Sequence, residues 1–276
     1  MYRICTQTYG LSREFEKDLT GTIEKLHRIG FCGIEPFVVF QETAGRGWTL
    51  DTLRKAARTM REYGMEIPSV HIGVAYGWFS MPLSSIAKNI LLLQREFGVD
   101  TVVLSAPFGS VPLAKHWGKL MKKISDAVRP YGCRVLYHNH DDEFRRVMIR
   151  GAETELMEIF LDRTSPDVDL ELDIGWAGFA GDEADIIRRY ADRITHLHLK
   201  DFFSGCKDGQ IRRADLPAGA FAPIGEGVIR TREILGMLDQ LPRFSGALIV
   251  DQDQCAGDMI TALTTGCRNV RALLGE

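Results

Sequence analysis

Four glycines are evenly spaced: Gly30, Gly64, Gly98 and Gly132 each follow the last by 34 residues. Each closes a run of helical periodicity, and a short apolar run comes next. The helical runs are residues 15–30, 49–64, 84–98 and 113–132, with another at 231–241. Glycine suits the left-handed position just past a helix end. The apolar runs read as strands: RICTQT (3–8), GIEPF (33–37), EIPSVHI (66–72), TVVLSA (101–106), CRVLYHN (133–139), DLELDI (169–174), THLHLK (195–200) and ALIVDQ (247–252). A helical solenoid has a similar period, but strands between the helices indicate β/α units. Eight such units over residues 1–276 predict a single domain, a closed (β/α)8 TIM barrel. A doubly wound sheet is the competing arrangement. It lacks its usual GxGxxG after the first strand.

Composition narrows the function. Apolar residues make up 45% and charged residues 26%, as in ordinary soluble domains. A net charge of -3 gives no basic field for nucleic acid. The opening MYRICTQTYG is not a signal peptide, and no apolar run reaches membrane-spanning length, so a cytoplasmic location is expected. The six cysteines are scattered without a CxxC pair and read as incidental thiols rather than zinc ligands. The irregular stretch 201–230 is long enough to be functional. Nothing in the pattern is diagnostic of an interface, and a homo-oligomer stays open.

In a barrel, catalytic residues come from the C-terminal ends of strands. Those ends carry Glu35; His71; His138, Asn139, His140 and Glu143; Asp173; His196, His198 and Lys200; and Asp251 and Asp253. Buried carboxylates without partners cost several kcal/mol, in order of magnitude. Together with imidazoles they can share one divalent ion, and the mixed oxygen and nitrogen set suits Mn, Mg, Co, Fe or Zn. In HLHLKD (196–201), alternation puts His196, His198 and Lys200 on one side and Leu197 and Leu199 on the other. The leucines belong under the outer helices. His198, nearer the mouth, is the metal candidate; His196 is either a ligand or a hydrogen-bonded interior histidine. Lys200 is placed to hold a substrate oxygen or phosphate.

The motifs GFCGIEPF (30–37), YHNHDDEF (137–144), LELDIGW (170–176), HLHLKD (196–201), PIGEGVI (223–229) and LIVDQD (248–253) give the chain a resemblance, over nearly its whole length, to the sugar phosphate isomerase/epimerase superfamily of xylose isomerase-like TIM barrels. Inosose isomerases and dehydratases, ketose 3-epimerases and hydroxypyruvate isomerases are among the proteins it resembles. The resemblance implies one divalent metal held by Glu, Asp, His and Glu from strands five to eight. Carried over, these are Glu143, Asp173, His198 and Asp251, with His138 the rival for the first place. Asp251 departs from the pattern, because glutamate is usual there and aspartate is one methylene shorter. The superfamily also resembles metal-dependent apurinic endonucleases, but their DxH ahead of the GEG loop is replaced here by AGAFA (218–222).

The implied chemistry is proton transfer beside a carbonyl of a sugar, keto-sugar or cyclitol. Glu143 would be ligand and base, and Asp251 ligand and opposing acid/base. Lys200, His71, His138 and His140 would bind substrate. Glu35 would either position substrate or close a strand–loop hydrogen bond. Trp176, with Phe37 or Trp48, would wall one face of a sugar ring. A lyase of the inosose dehydratase or keto-glycoside eliminase type, and a sugar-binding barrel without activity, are the alternative readings.

Overall fold

All eight apolar runs form strands in the computed structural model of the chain, which describes residues 2–40, 47–73, 82–164, 166–204 and 213–276. Residues 205–212 of the 201–230 stretch, Cys206 among them, lie outside the described residues. In chain order the strands are β1 (Arg3–Gln7), β2 (Gly33–Glu35), β3 (Phe37–Val38), β4 (Val70–Ile72), β5 (Thr101–Leu104), β6 (Arg134–His138), β7 (Arg146–Ile149), β8 (Ala152–Glu155), β9 (Val168–Asp173), β10 (Ile194–Leu199), β11 (Asp201–Phe202), β12 (Phe221–Ala222) and β13 (Ala247–Val250). Nine of them form one parallel sheet, ordered β2-β1-β13-β10-β9-β6-β5-β4-β3. β7 with β8, and β11 with β12, are short antiparallel pairs set on the barrel.

The two ends of that order come from a single apolar run, GIEPF, split at Pro36. Proline has no N–H to give to a ladder. β2 therefore pairs with β1, and β3 pairs with β4. Across the split, Ile34 N–H donates to the Glu66 carbonyl at 3.0 Å and His71 N–H donates to the Pro36 carbonyl at 2.9 Å. These bonds draw the ends together into a nearly closed barrel with alternating helices.

The spaced glycines do what their chemistry suggests: Gly30 ends helix Leu19–Ile29 at φ 110° and Gly98 ends Leu83–Phe97 at φ 72°. The first helical run differs from expectation. It breaks at Asp18, whose carboxylate accepts from Gly21 N–H at 2.9 Å and so starts a new helix. The run at 231–241 is also shorter than its pattern. Helix Thr231–Leu235 stops before Gly236, a poor helix former, and resumes only as one tight turn at Leu238–Gln240.

On β10, Leu197 and Leu199 are wholly buried in the apolar layer under the helices. Each contributes roughly 1.5–3 kcal/mol on burial. The register puts His198 level with Asp173 on β9 and with Ile249 on β13. The strand pairing thus sets two polar residues at one height before any ligand is considered.

Asp201 fixes the loop that follows. Its Oδ2 accepts from Gly225 and Gly227 N–H, each at 3.0 Å, and its Oδ1 accepts from Phe202 at 2.9 Å and Ile229 at 3.0 Å. A Cβ on Gly227 would stand 2.1 Å from Oδ1, so the GEG glycine is needed for this approach. We expect Asp201→Asn to lower stability by ~2–4 kcal/mol, because either orientation of the amide turns its NH2 toward two N–H donors. Urea unfolding of the two proteins measures this; equal midpoints would show that the carboxylate does not hold the loop.

Candidate active site

The polar ends of six strands meet on the barrel axis. Along β9, Glu171 and Asp173 share the interior face, two residues apart. His138 ends β6 and lies in register with Glu171. Glu35 ends β2, His71 lies in β4, His198 in β10, and Asp251 follows β13. Glu35, Glu171, Asp173 and His198 are completely buried, and His71, His138 and Asp251 nearly so.

His198 is the hub. Its Nε2 lies 3.0 Å from Glu35 Oε1 and 3.1 Å from Glu171 Oε2, and its Nδ1 lies 3.2 Å from Asp251 Oδ2. His138 Nδ1 is 3.2 Å from Glu171 Oε2, and its Nε2 is 3.8 Å from Asp173 Oδ2. Ser69 hydroxyl donates to Glu35 Oε2 at 2.5 Å. Burial opposes a charge on His198, but Glu171 and Glu35 outweigh it and hold the imidazole well above its ordinary pKa. Burial and the charge of Glu35 push Glu171 well above the carboxylate range. For Glu35, His198 and His71 overcome burial and hold it well below. Two carboxyls this close disfavour a second negative charge, which drives their pKa values apart.

Asp173 has two tasks. Its Oδ1 accepts from Trp176 N–H at 2.9 Å and caps helix Ile174–Ala180. Its Oδ2 faces Lys200 Nζ at 3.0 Å. Asn139 steadies the residue through two backbone bonds: its side-chain oxygen accepts from Asp173 N–H at 2.9 Å and its amide donates to the Asp173 carbonyl at 3.2 Å.

Lys200 is 2% exposed, far from the solvated lysine that a loop position would suggest. Besides Asp173, its ammonium lies 2.8 Å from both Asp251 Oδ2 and Asp253 Oδ2 and 4.9 Å from the Trp176 ring centroid. Burial works against that charge, but the three carboxylates raise its pKa well above the lysine value. Gly175 makes the packing feasible, since a Cβ there would stand 2.7 Å from Lys200 Cβ.

Glu143 lies in a separate group. Its Oε1 accepts from Tyr137 hydroxyl at 2.7 Å and is 3.9 Å from His140 Nδ1. Its Oε2 is buried and has no hydrogen-bond partner among the described residues. With no cation in contact, burial raises its pKa to about 7, although Tyr137 pulls the other way. Above these groups opens a cavity of about 340 Å³, within the usual range for a small-molecule site. Phe37, Trp176 and Tyr9 give it aromatic walls, and His71, His138, His140, Lys200, Arg213, Asp251 and Asp253 give it polar ones.

The sequence-derived candidates therefore fall into distinct places. His71, His138, His140, Trp176, Lys200 and Asp251 line the cavity; Glu35, Glu143, Asp173 and His198 lie beneath or behind its surface. Trp48 packs edge-on against Phe15 at 4.9 Å in the core, not on the cavity. His196 is an interior residue, its Nδ1 3.1 Å from Thr195 hydroxyl. Glu171 was missed, although the alternation that marks Asp173 marks it too. Arg213, which pairs with Asp141 at 3.1 Å, carried no motif.

Among the described residues, three buried groups near the cavity have ligand atoms within 4.8 Å of one another: His138, Asp173 and His198; His71, His138 and Glu171; and Glu35, Glu171 and His198. Imidazole nitrogens with carboxylate oxygens suit a divalent ion. Glu171 Oε1, buried without a hydrogen-bond partner, marks unused ligand capacity beside them. Glu143 and Asp251 belong to none of these groups.

A family model described as "Xylose isomerase-like TIM barrel" matches residues 23–261. The chain is 28% identical over 219 residues to inosose dehydratase 2 of Bacillus cereus, covering 67% of this chain and 70% of that protein. It superposes on a sugar phosphate isomerase/epimerase from Parabacteroides distasonis ATCC 8503 with a TM-score of 0.74 at 20% identity, over 98% of this chain and 94% of the other. A xylose isomerase-like TIM barrel protein from Mycobacterium smegmatis, solved in complex with magnesium, superposes at 0.68 with 13% identity, over 99% and 97%.

The raised pKa of Glu143 makes a stability prediction for chelator-treated protein. Unfolded, its carboxyl titrates near 4.5; folded, near 7. The folded state thus binds its proton more tightly, and this residue's contribution is greatest below 4.5 and falls as pH rises to 7. The loss corresponds to ~3 kcal/mol. Glu143→Gln should lack it, so the stability difference between variant and parent should widen between pH 4.5 and 7 and level off above. A constant difference across that range would contradict the assignment.

Proposed function

Since the chain belongs to the xylose isomerase-like TIM barrel family, we propose that it is a divalent-metal-dependent enzyme that moves a proton beside a carbonyl of a sugar, keto-sugar or cyclitol, as an isomerase or epimerase. The observation that carries this reading is the convergence of buried imidazoles and carboxylates directly beneath an aromatic-walled cavity of sugar size.

Asp173 and His198 are the proposed ligands, and His138 is the third, because its ring nitrogen already lies among them. Asp251 adjoins the set through His198. Glu143, first expected as a ligand, stands apart with Tyr137 and His140 and is assigned to proton transfer instead. A bound divalent ion would supply Lewis-acid polarisation of a substrate oxygen.

The protein's own groups do the rest. Trp176 and Phe37 offer apolar faces to a ring, and their stacking excludes water from one side. Lys200 presents a fixed ammonium to a hydroxyl or carbonyl oxygen. His140 faces the cavity with Glu143 behind it, which gives a proton a path away from the substrate carbon into a buried carboxyl. Asp251, on the Lys200 side, is the opposing acid/base. Its short side chain reaches both Lys200 and His198.

A second reading is a lyase, favoured by the resemblance to an inosose dehydratase. It begins with the same proton removal and ends with loss of a hydroxyl as water. Incubation of inososes and ketoses with the protein and Mn or Mg in D2O tests both. We expect deuterium at a carbon beside the carbonyl, abolished by chelation and reduced at least ~100-fold by Asp173→Asn or His198→Asn. Exchange without water loss supports isomerisation or epimerisation, and exchange with water loss supports the lyase. No exchange with any such substrate would remove both.

A further inference from the structure

At the other end of the barrel, two thiols meet that the chemistry above does not use. Arg3, Cys5 and Gln7 alternate on one face of β1, and Gln7 lines the cavity. Cys5 therefore lies below it, toward the N-terminal ends of the strands. Cys5 is paired in register with Gly33, the residue after Cys32. The two sulfurs are 3.8 Å apart. Cys5 is wholly buried and Cys32 is exposed. Gly33 leaves room for the contact, since a Cβ there would stand 2.8 Å from Cys5 Sγ. No short motif announces the pair, because 27 residues separate its members.

We infer that Cys5 and Cys32 form a reversible dithiol–disulfide pair, in which exposed Cys32 reacts with a hydroperoxide and buried Cys5 closes the cross-link. The division of labour follows from access: of the two, only Cys32 can meet an oxidant from solvent, and the Cys5 sulfur lies 3.8 Å from it. The electrostatics agree. The contact with Cys5 holds the Cys32 thiol below its ordinary pKa against burial, while the same contact and burial push Cys5 up.

In the first step the Cys32 thiolate attacks the outer peroxide oxygen. The O–O bond breaks, a sulfenic acid forms on Cys32, and the other oxygen leaves as alkoxide or hydroxide and takes up a proton. In the second step Cys5 sulfur attacks the Cys32 sulfur, the S–O bond breaks, and water leaves with the Cys5 proton. Two thiols lose two electrons, and the hydroperoxide is reduced to an alcohol, or water, plus one water.

Glu66 Oε1 lies 3.9 Å from Cys5 Sγ, so the same atoms form a three-ligand group for a thiophilic metal. Arg3 argues against that use. Its Nη1 already pairs with Glu66 Oε1 at 3.1 Å and would place a second cation beside the metal. A Cys5–Cys32 bond would tie β1 to β2, the strands that carry Gln7 and Glu35 into the site.

The test treats the full chain with hydrogen peroxide, blocks remaining thiols with N-ethylmaleimide, and maps non-reduced peptides. We expect two of the six cysteines to be lost as one Cys5–Cys32 cross-link and regained with dithiothreitol. The oxidised form should melt roughly 5 °C higher. Cys32→Ser should abolish both changes, and Cys5→Ser should leave Cys32 as a sulfenic acid that dimedone traps. Should Cys5→Ser not fold, the wild-type map decides alone. A cross-link from Cys32 to Cys267, oxidation of Cys32 past sulfenic acid while Cys5 stays a thiol, unchanged thiols, or one zinc ion carried by the pair as purified would each overturn the proposal.

Discussion

The Lys200 ammonium and the carboxylates of Asp173, Asp251 and Asp253 are the interaction on which the mouth of the barrel depends. A buried cation costs several kcal/mol unless it is paired. Here three anions come from the ends of two strands, β9 and β13, while the lysine ends β10 between them. The pairing is possible only in the register observed, with His198 level with Asp173. Removing the lysine would leave Asp173, Asp251 and Asp253 facing one another without their shared cation, so the network binds strand order and site geometry into one constraint.

That network sits beside a second one with a different balance. Around His198, Glu35 and Glu171 compete for one imidazole, and burial with the charge of Glu35 pushes Glu171 above the carboxylate range. Such a set is costly as a structural device, because burial penalises both carboxyls and Glu171 Oε1 meets no donor among the described residues. It is well suited as a ligand set, because a divalent cation would supply the positive charge that two crowded carboxyls lack. Lys200 then has a plain role beside it: a fixed positive charge that holds Asp251 below the usual carboxylate range and opposes, without cancelling, the upward push of burial on Asp173.

Much of this was legible in the residues. The 34-residue glycine spacing and eight apolar runs indicated the barrel, and the alternation in HLHLKD separated Leu197 and Leu199 from His198 and Lys200. The same rule applied to DLELD would have found Glu171. The split of β2 and β3 at Pro36 was visible as a proline, but not as the seam of the barrel. Spacing could not reveal that Glu143 turns toward Tyr137 and His140 instead of the axis, because a short helical turn at Asp142–Phe144 sets its direction. Nor could it show Asp201 gathering four backbone N–H groups, three of them from a loop more than twenty residues away. Pairings of that kind depend on where a loop returns, and local sequence carries no record of it.

The axial imidazoles and carboxylates fit a divalent ion. Anomalous diffraction from crystals soaked in manganese, recorded at the metal's absorption edge, tests it most directly. One strong peak is expected, bound by Asp173 and His198, with His138 as a further ligand and Lys200 adjacent but not coordinating. No peak at the axis, with the Lys200 ammonium still seated between Asp173 and Asp251, would contradict it.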